Sequence, residues 1–296
     1  MLSLIFNPVA GGGRAGRLLP AVRERLGRLG LEHRVEATRS LDHARELARA
    51  AAAAGEEVVA FGGDGTIGAV AGALRETDAV LGVLPGGRGN DFARQLGLPL
   101  DPVAAAVTLR DGAVAAVDLG LIGDKTFLGI ATTGFDSEAN RIANEARLVP
   151  DGLVYAYGGV RALLRWKPAS FSLRIDGEEH SLYGYNVAVA NSARHGAGML
   201  LAPGASVCDG LLDVVMVAQA PKLEFLRQLP RVFRGTHVSS PFVRIVRART
   251  VEIACERTLT TYADGDPVAV LPVSITVLPA AIRVRTPASV GTGDRA

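Results

Sequence analysis

The sequence predicts an α/β N-terminal domain, a parallel sheet with helices on both faces, followed by a β-rich antiparallel C-terminal domain. Through residue 118, short apolar runs alternate with segments of helical period, which is the pattern of a parallel sheet with crossover helices. Beyond residue 118, short alternating segments are separated by Gly, Asp and Asn turns, as in antiparallel β domains. At 296 residues, the chain is long enough for two domains with separate cores.

Composition excludes several classes of protein. The formal charge of +2 is too small to indicate a nucleic-acid partner. The two cysteines, Cys208 and Cys255, are too few for a disulfide framework. No apolar run reaches the roughly 20 residues of a membrane span, and the N-terminus lacks the features of a signal peptide. We therefore expect a cytoplasmic protein.

The first domain is predicted to contain four strands and two amphipathic helices. The predicted strands are Leu2–Phe6, Glu32–Ala37, Val58–Phe61 and Val80–Leu84, and the predicted helices are Leu18–Leu29 and Leu41–Ala54.

The second domain is predicted from shorter, more regular segments. Its strands are expected at Lys125–Ile130, Ser170–Ile175, Tyr185–Ala190, Leu212–Val217, Phe242–Ala248, Thr250–Ala254 and Ser274–Leu278. One helix is expected at Gly152–Trp166, and a basic amphipathic helix in the first half of Pro221–Arg249.

Residues Val58 to Ala73 read as strand, glycine turn and helix start. The turn Gly62-Gly63-Asp64-Gly65-Thr66 allows close backbone approach, and the helix start favours anions. A carboxylate among phosphate-binding amides needs a cation beside it or a role as base, so Asp64 predicts Mg²⁺. The alternative is a plain βα turn with Asp64 as the helix cap.

Two further glycine-rich loops follow predicted strands. One is Asn7–Arg14, which a flexible turn explains equally well, and the other is Pro85–Arg94, where Asn90 or Asp91 could cap the next helix. All three loops fall at the carboxyl ends of parallel strands, where ligands of such sheets bind. We therefore expect them to form one phosphate-binding site.

Three motifs in this order and spacing resemble the catalytic domain of the diacylglycerol kinase family, which includes soluble bacterial lipid kinases and sphingosine and ceramide kinases. They are NPVAGGGRAG from Asn7, FGGDGTIGAV from Phe61 and LPGGRGNDFARQLGLP from Leu84. Later matches are VDLG from Val117, TTGFDSEAN from Thr132, ASVCDGLLDV from Ala205 and ADGDP from Ala263, so the resemblance covers nearly the whole chain.

The resemblance implies a fold like those of NAD kinase and diacylglycerol kinase. It implies a nucleotide-binding catalytic domain at residues 1–118, rejoined by residues 281–290, and a lipid-substrate domain at residues 119–280. We expect the last strand near Ala281–Thr286 and a disordered tail at residues 291–296.

The implied activity is transfer of the γ-phosphate of ATP to a lipid hydroxyl, with Mg²⁺ as cofactor. Asp64 is expected to bind the catalytic Mg²⁺. The residues expected around the nucleotide are Asn7, Gly11, Gly12, Thr38, Gly62, Gly63, Asp64, Gly65, Thr66, Gly87, Arg88, Asn90 and Asp91.

A second acidic element is expected from the β domain, so that domain closure completes the site. The element Asp264-Gly265-Asp266 aligns with an Asp-Gly-Glu element of the family, and either carboxylate could be the base that accepts the proton of the lipid hydroxyl. Asp-Gly is also a favoured hairpin turn without any chemistry. The resemblance further implies a structural Mg²⁺ site at Ser206, Asp209 and Leu211.

Two positions depart from the family pattern. Arg88 stands where Thr is usual, and Gly68-Ala69 stands where Asn-Glu is usual, which predicts an altered nucleotide or acceptor preference. An NAD kinase-like or other small-molecule kinase is the enzymatic alternative, and a nucleotide-sensing regulatory protein is the non-enzymatic one.

The expected partner is a lipid substrate at the membrane surface, with no nucleic acid, and a homodimer is a further assembly to test. Seven cations against the single acid Glu224 in Pro221–Arg249 predict peripheral binding to the inner face of the membrane. An ordinary surface helix is the alternative for this segment.

Overall fold

The computed structural model describes residues 1–138, 142, 158, 161–162, 166–196 and 198–287. The helix expected at Gly152–Trp166 lies almost wholly outside these residues, and the expected tail at 291–296 lies entirely outside them. The chain forms two compact units. Unit 1 comprises Met1–Leu119, Val207–Asp209 and Leu278–Ala296, and unit 2 comprises Gly120–Ser206 and Gly210–Val277.

Unit 1 is an α/β layer structure built on a parallel sheet. Its strands are β1 (Leu2–Phe6), β2 (His33–Ala37), β3 (Glu57–Gly62) and β4 (Val80–Pro85). They lie in the order β2-β1-β3-β4, all parallel. Arg283 and Val284, from the last strand, add a further parallel neighbour beside β4.

Five helices belong to unit 1. They are α1 (Ala10–Arg28), α2 (Leu41–Ala53), α3 (Asp64–Leu74), α4 (Asp91–Gln95) and α5 (Pro102–Asp111). Apolar residues of α1 and α5 pack on the sheet face that carries Leu4 and Phe61. Because side chains alternate along a strand, Ile5 and Ala60 point to the opposite face, and α2 and α3 contact β3 and each other there.

Sequence patterning misses α5, although Asp101 accepts a hydrogen bond from the Val103 amide and Pro102 occupies the first helical turn. It also places the start of α1 at Leu18, whereas the helix assignment begins at Ala10 and includes three glycines with positive φ.

Unit 2 is an antiparallel β structure. Its strands are the last residues of β5 (Ala113–Ile122), β6 (Lys125–Phe127), β7 (Ile130–Gly134), β8 (Ala169–Ile175), β9 (Glu178–Ala190), β10 (Arg194–His195), β11 (Met199–Leu200), β12 (Leu212–Ala218), β13 (Val243–Ala248), β14 (Thr250–Cys255), β15 (Thr260–Ala263), β16 (Asp266–Val270) and the first residues of β17 (Val273–Thr286).

The main sheet of unit 2 runs β16-β15-β7-β9-β8-β14-β17, and β12 joins β9 to β13. All of these neighbours are antiparallel. Alternate side chains of β8, such as Phe171 and Leu173, are buried and the others are exposed, which is the pattern of a sheet with one covered face. The predicted fold class is therefore confirmed for both parts of the chain.

One helix of unit 2 has bounds within the described residues, α6 (Lys222–Val232), followed by a short 3₁₀ turn at Thr236–Ser239. No helix in the described part of the chain is long and apolar enough to cross a membrane.

Candidate active site

Three glycine-rich loops of unit 1 contact one another where β1, β3 and β4 end. A Cβ atom added to Gly11 would lie 2.5 Å from the Gly86 carbonyl oxygen, and one added to Gly87 would lie 2.4 Å from Gly63 Cα. The Gly86 amide also donates a 2.7 Å hydrogen bond to the Gly62 carbonyl. Any side chain at these glycines would push the loops apart, so the loops depend on bare backbone to form one surface.

The first loop turns through three consecutive left-handed residues. Gly11, Gly12 and Gly13 have φ values of 60°, 65° and 83°. Asn7 fastens this loop to the second one, because its Nδ2 donates to Thr66 Oγ1 at 3.1 Å while its Oδ1 accepts from the Val9 amide at 3.1 Å. Turns that present successive backbone N–H groups form anion-binding concavities in proteins, which is the property that a phosphate loop needs.

Asp64 is the first residue of α3 and is half-buried. Burial raises the pKa of Asp64, and the nearby Asp91 carboxylate raises it further, whereas the Phe92 amide, which donates to Asp64 Oδ1 at 3.1 Å, opposes this rise. Two neighbouring carboxylates repel each other, and a cation between them would relieve both the repulsion and the burial cost.

The start of α4 is capped differently from the sequence expectation. Asn90 occupies the cap position in the left-handed region, but its side chain bonds the Gly87 amide at 2.8 Å and the Gly87 carbonyl at 3.0 Å. The Phe92 amide of α4 is instead bonded by Asp64, from the preceding glycine loop. Asn90 is therefore the cap residue by position, as expected, but its side chain makes no bond to the helix and instead holds the shape of the third loop.

The donor set at Asp64 fits Mg²⁺. This ion prefers oxygen ligands and is usually held by one or two carboxylates together with water and substrate phosphates. Asp64 and Asp91 provide two carboxylates close enough for one to raise the pKa of the other. Among the described residues, no group of three or more His, Cys, Asp or Glu side chains is arranged to hold a metal.

The other residues expected around the nucleotide lie at the same edge of the sheet. Thr38 follows β2, is buried, and donates its amide to the Phe6 carbonyl at 2.8 Å. Gly65 and Thr66 lie in the first turn of α3. Arg88 is exposed in the third loop. Its nucleotide contact, like that of the other expected ligands, stays a prediction.

In unit 2, Asp264-Gly265 forms a two-residue hairpin between β15 and β16. Ala263 pairs with Asp266 across the turn, and Asp264 and Gly265 have φ values of 50° and 95°, as a type I′ turn requires. The hairpin alternative raised from the sequence is thus correct for the backbone.

The Asp264 carboxylate is held by backbone amides. Its Oδ2 accepts from the Leu128 amide at 2.8 Å, and its Oδ1 accepts from the amides of Gly129 and Ile130 at 2.9 and 3.2 Å. A Cβ atom added to Gly129 would lie 2.6 Å from Asp264 Oδ1, so this set of hydrogen bonds requires glycine at position 129. Asp266, two residues on, is exposed.

The expected structural Mg²⁺ residues lie in the segment before β12. Cys208 of this segment is exposed, and the pKa of its thiol is raised by desolvation and by the carboxylates of Asp118 and Asp209, so Asp118 from β5 lies near the segment that carries Asp209. Asp209 belongs to unit 1, whereas Ser206 and Leu211 belong to unit 2. The three-residue metal set stays a prediction.

Two acidic residues inside the family motifs acquire roles that the sequence reasoning did not assign. Asp118 is buried, and its Oδ1 accepts from the Ala280 amide at 2.7 Å, where Ala280 has a φ of 50°. Asp136 accepts from Asn186 Nδ2 at 2.8 Å; burial raises its pKa, and His195 lowers it only in part. In both cases the available sequence signal was an Asp directly after an apolar residue, Val117 or Phe135, since a carboxylate in such surroundings needs a hydrogen-bond partner.

An α/β unit whose glycine loops meet at a helix start, followed by an antiparallel β unit, is the architecture that the resemblance to the diacylglycerol kinase family implies. Comparisons with known proteins support the same class. Residues 1–122 match the family model described as the diacylglycerol kinase catalytic domain. Residues 129–286 match the model described as the YegS C-terminal NAD kinase beta sandwich-like domain.

Curated relatives match along almost the full length. The chain is 37% identical over 295 residues to the diacylglycerol kinase of Mycobacterium tuberculosis strain H37Rv, covering 97% of this chain and 95% of that protein. It is 33% identical over 258 residues to a protein of Chromohalobacter salexigens named probable lipid kinase YegS-like, covering 84% and 83%. The diacylglycerol kinase of Bacillus subtilis strain 168 is 29% identical over 276 residues, covering 91% and 90%.

The fold is also that of solved structures. A crystal structure of a diacylglycerol kinase from Bacillus anthracis str. Sterne superposes with a TM-score of 0.78 at 22% identity, covering 98% of this chain and 97% of that one. Another crystal structure from the same strain gives a TM-score of 0.82, with 98% of both chains covered. The chain belongs to the diacylglycerol kinase catalytic-domain family, and it is a lipid kinase.

Proposed function

We propose that this lipid kinase transfers the γ-phosphate of ATP to a hydroxyl group of diacylglycerol or a related lipid, with Mg²⁺ as cofactor. The observation that carries the proposal is the backbone-to-backbone meeting of three glycine loops beside Asp64 at the start of α3. The names of the curated relatives point to the same acceptor class.

The glycine loops bind the nucleotide phosphates. Amides of the Gly11–Gly13 turn and of the Gly62–Gly63 turn donate to phosphate oxygens, and the start of α3 adds its partial positive charge. Asn7 and Asn90 do not need to touch the nucleotide for this purpose, because their hydrogen bonds fix the loops that do.

Asp64, with Asp91 beside it, holds the catalytic Mg²⁺. When bound there, the ion neutralises the negative charge that develops on the transferred phosphoryl group. Asp64 faces two demands, since it must stay ionised for this role although burial and Asp91 raise its pKa. A raised pKa of this kind is typical of a functional carboxylate, and a cation bound beside Asp64 would favour its ionised form.

The base that takes the proton from the lipid hydroxyl is Asp266, and Asp264 is a positioning residue. Three backbone N–H groups already occupy the Asp264 carboxylate, whereas Asp266 is exposed at the first position of β16. By holding Leu128–Ile130, Asp264 fixes the hairpin that carries Asp266. The Asp266 side chain is one methylene shorter than the Glu of the family element. The hydroxyl of the lipid must therefore approach the backbone of β16 more closely to reach the carboxylate.

Arg88 contributes a cation near the nucleotide phosphates and takes the place of the usual Thr. Its exposure in the third loop leaves the guanidinium able to reach a ligand from solvent. We attribute to Arg88, together with Gly68-Ala69 on α3, a preference among nucleotides that differs from that of the relatives.

The test is transfer of radiolabelled γ-phosphate from ATP, with Mg²⁺, to dioctanoylglycerol, to ceramide and to sphingosine in detergent micelles, with NAD as a separate acceptor. We expect label in a lipid product and its loss in Asp64→Asn, which keeps the acceptor for the Phe92 amide but removes the charge. Robust labelling of NAD without labelling of any lipid would establish an NAD kinase instead. Activity of Asp64→Asn equal to wild type would contradict the assigned role.

A further inference from the structure

The surface of α6 that faces solvent is apolar along its centre and basic along its edges. Successive residues of a helix are rotated by roughly 100°, so positions can be placed around its circumference. The exposed residues fall within one arc of about 140°. We call this arc the outer face of α6; it is formed by Lys222, Leu223, Leu226, Arg227 and Pro230 of the helix and continued by Phe233 and Arg234, the two residues that follow its end.

The opposite surface of α6 is packed against unit 2, which fixes the direction of the outer face. Phe225 contacts Phe135 and Tyr185, with ring centroids 4.8 and 5.1 Å apart. Val232 packs against a second apolar cluster, which includes Leu201. The helix therefore has two separate apolar surfaces, and only the inner one is covered by the protein.

The outer face concentrates exposed apolar side chains to an unusual degree. Nine large hydrophobic side chains are exposed in the described residues, and three of them, Leu223, Leu226 and Phe233, lie on the outer face. Leu223 is 62% exposed and Phe233 57%. Leaving such groups in water is costly unless another surface covers them.

The charges on the outer face all have the same sign. Lys222 lies at one edge of the arc, and Arg227 and Arg234 lie at the other. The single acid of the helix, Glu224, lies on the inner half, where it accepts a 2.8 Å hydrogen bond from Gln228 Nε2 and pairs with Arg227 at 3.4 Å. A central apolar strip between two basic edges complements an anionic bilayer, which offers acyl chains beneath a layer of negative head groups.

We propose that the outer face of α6 docks on the surface of an anionic bilayer, with the helix lying in the plane of that surface. The proposal rests on the proposed function, because a membrane lipid as acceptor requires an enzyme that reaches the bilayer. Leu226 and Phe233 enter the region below the head groups, and Lys222, Arg227 and Arg234 pair with head-group phosphates.

The test is sedimentation of the full chain with large unilamellar vesicles, without nucleotide. One set of vesicles is pure phosphatidylcholine, and the other contains about 30 mol per cent of the anionic lipid phosphatidylglycerol. We expect binding to the anionic vesicles that is at least about tenfold tighter than binding to the neutral ones, and that weakens as salt is raised.

Two double variants separate the apolar and the electrostatic parts. Leu226→Ser with Phe233→Ser should weaken vesicle binding by about tenfold or more. Arg227→Gln with Arg234→Gln should weaken it by about tenfold to thirtyfold at low salt and remove most of the salt dependence.

The chain offers matched controls for both variants. Val114 and Tyr183 are 39% and 55% exposed, close to the 38% and 57% of Leu226 and Phe233, so Val114→Ser with Tyr183→Ser controls for loss of exposed apolar area. Exposed Arg23 and Arg49 provide the charge control as a double Gln variant. Neither control should change vesicle binding by more than about twofold, because neither lies on the outer face.

Several results would overturn the proposal. The first is equal binding to both vesicle types, and the second is a loss of binding in the controls as large as in the outer-face variants. The third is a wild-type protein that is a dimer in analytical ultracentrifugation and becomes a monomer in Leu226→Ser with Phe233→Ser. The last result would show that a second copy of the chain covers this face. Phosphate transfer to dioctanoylglycerol in detergent micelles is measured on the same proteins; because it needs no bilayer, it distinguishes failure of docking from failure of the proposed function.

Discussion

Two turns of unit 2 are built alike, Asp176-Gly177 and Asp264-Gly265. Each joins two antiparallel strands through two residues of positive φ, 47° and 90° in the first and 50° and 95° in the second. In each, the Asp carboxylate reaches a neighbouring segment. Asp176 accepts from the amides of Arg249 and Thr250, and Asp264 from three successive amides beginning at Leu128.

The likeness extends to the next residue, which is acidic in both turns. Glu178 follows the first and Asp266 follows the second, so the chain contains the pattern acid-Gly-acid twice. The first copy matches the Asp-Gly-Glu spelling of the family element more closely, yet the family resemblance assigns chemistry to the second. Anchoring of the Asp therefore occurs in both turns and does not by itself indicate catalysis, which is why we propose Asp266 and not Asp264 as the base.

The largest expected effect is on kcat, and it distinguishes Asp266 from Glu178, the acids that follow the two turns. Asp266→Asn should lower kcat for phosphate transfer by about 10²- to 10⁴-fold, the usual contribution of a positioned base. Glu178→Gln should leave kcat within about twofold of wild type, because Glu178 is an exposed residue of the other turn. Steady-state assays in micelles at saturating ATP and lipid measure both. Equal losses of kcat in Asp266→Asn and Glu178→Gln, or no loss in either variant, would contradict the different roles that we assign to the two acids.

The second effect concerns stability and compares the two anchoring residues. In Asp264→Asn, the amide group of Asn cannot accept from both Leu128 and Gly129, so one buried N–H loses its partner and the free energy of unfolding should fall by about 2 kcal/mol. In Asp176→Asn, Oδ1 alone can keep the bonds from Arg249 and Thr250, and the loss should be about 0.5 kcal/mol.

Urea unfolding monitored by fluorescence measures these two losses, and kcat is measured on the same proteins. Asp264→Asn should also lower kcat, by less than Asp266→Asn does, because it loosens the hairpin without removing the base. Asp176→Asn should leave kcat unchanged. A fall in kcat for Asp264→Asn that exceeds the fall for Asp266→Asn would transfer the role of base to Asp264.

The third effect should be nearly the same in both turns. Gly177→Ala and Gly265→Ala each place a side chain on a left-handed residue, which costs roughly 1 to 2 kcal/mol. A Cβ atom on Gly177 meets no other atom within 4 Å, so backbone strain alone sets its cost. Thermal unfolding of both variants measures the pair, and a much larger loss for Gly265→Ala would indicate that its surroundings are tighter than those of Gly177.

The smallest effect is the pH dependence at Asp176. Although desolvation raises the pKa of Asp176, hydrogen bonds from Thr250 and Arg249 outweigh it, and the net direction is downward. The folded state therefore favours the ionised form. The stabilisation is complete well above the unfolded pKa of about 3.9, and it is lost as pH falls through the lowered pKa of the folded state.

The difference in unfolding free energy between wild type and Asp176→Asn should accordingly shrink as pH falls from 6 to about 3. Urea unfolding across this range measures it. A difference that grows toward low pH would mean that the pKa of Asp176 is raised on folding.

Much of the fold could be predicted from the sequence because both units obey simple periodicities. Residues Val58–Phe61 form a continuous apolar run, and Leu2–Phe6 is apolar except for Ser3, as is typical of strands buried on both faces; they are the central strands β3 and β1. The helix α5 was missed because small apolar residues lie on both its buried and its partly exposed sides, so the segment PVAAAVTLRD shows little helical contrast.

The glycine loops could be predicted as a group, but the partners of their side chains could not. Helix caps are usually local, and Asn90 or Asp91 is the local choice at α4. The actual partner of the Phe92 amide is Asp64, 28 residues earlier, because two glycine loops approach closely enough for one to cap the helix of the other. Contacts of this kind depend on tertiary structure and leave no pattern in the sequence.

The sequence also left Asp264 and Asp266 equivalent. Their difference arises from the turn geometry, which directs Asp264 onto the Leu128–Ile130 amides while Asp266 begins the next strand exposed. In the same way, the basic amphipathic pattern at α6 predicted a helix with one apolar side. Only the packing of Phe225 against Phe135 shows that a second apolar side remains exposed.

The account is tested most directly by the single-turnover rate of phosphate transfer from ATP to dioctanoylglycerol in Asp266→Asn, Asp266→Glu and Asp264→Asn. We predict a loss of at least about 100-fold in Asp266→Asn, substantial recovery in Asp266→Glu because the carboxylate is restored, and an intermediate rate in Asp264→Asn. Near-wild-type transfer by Asp266→Asn, with a folded Asp264→Asn protein that transfers no phosphate, would contradict the assignment of Asp266 as the base.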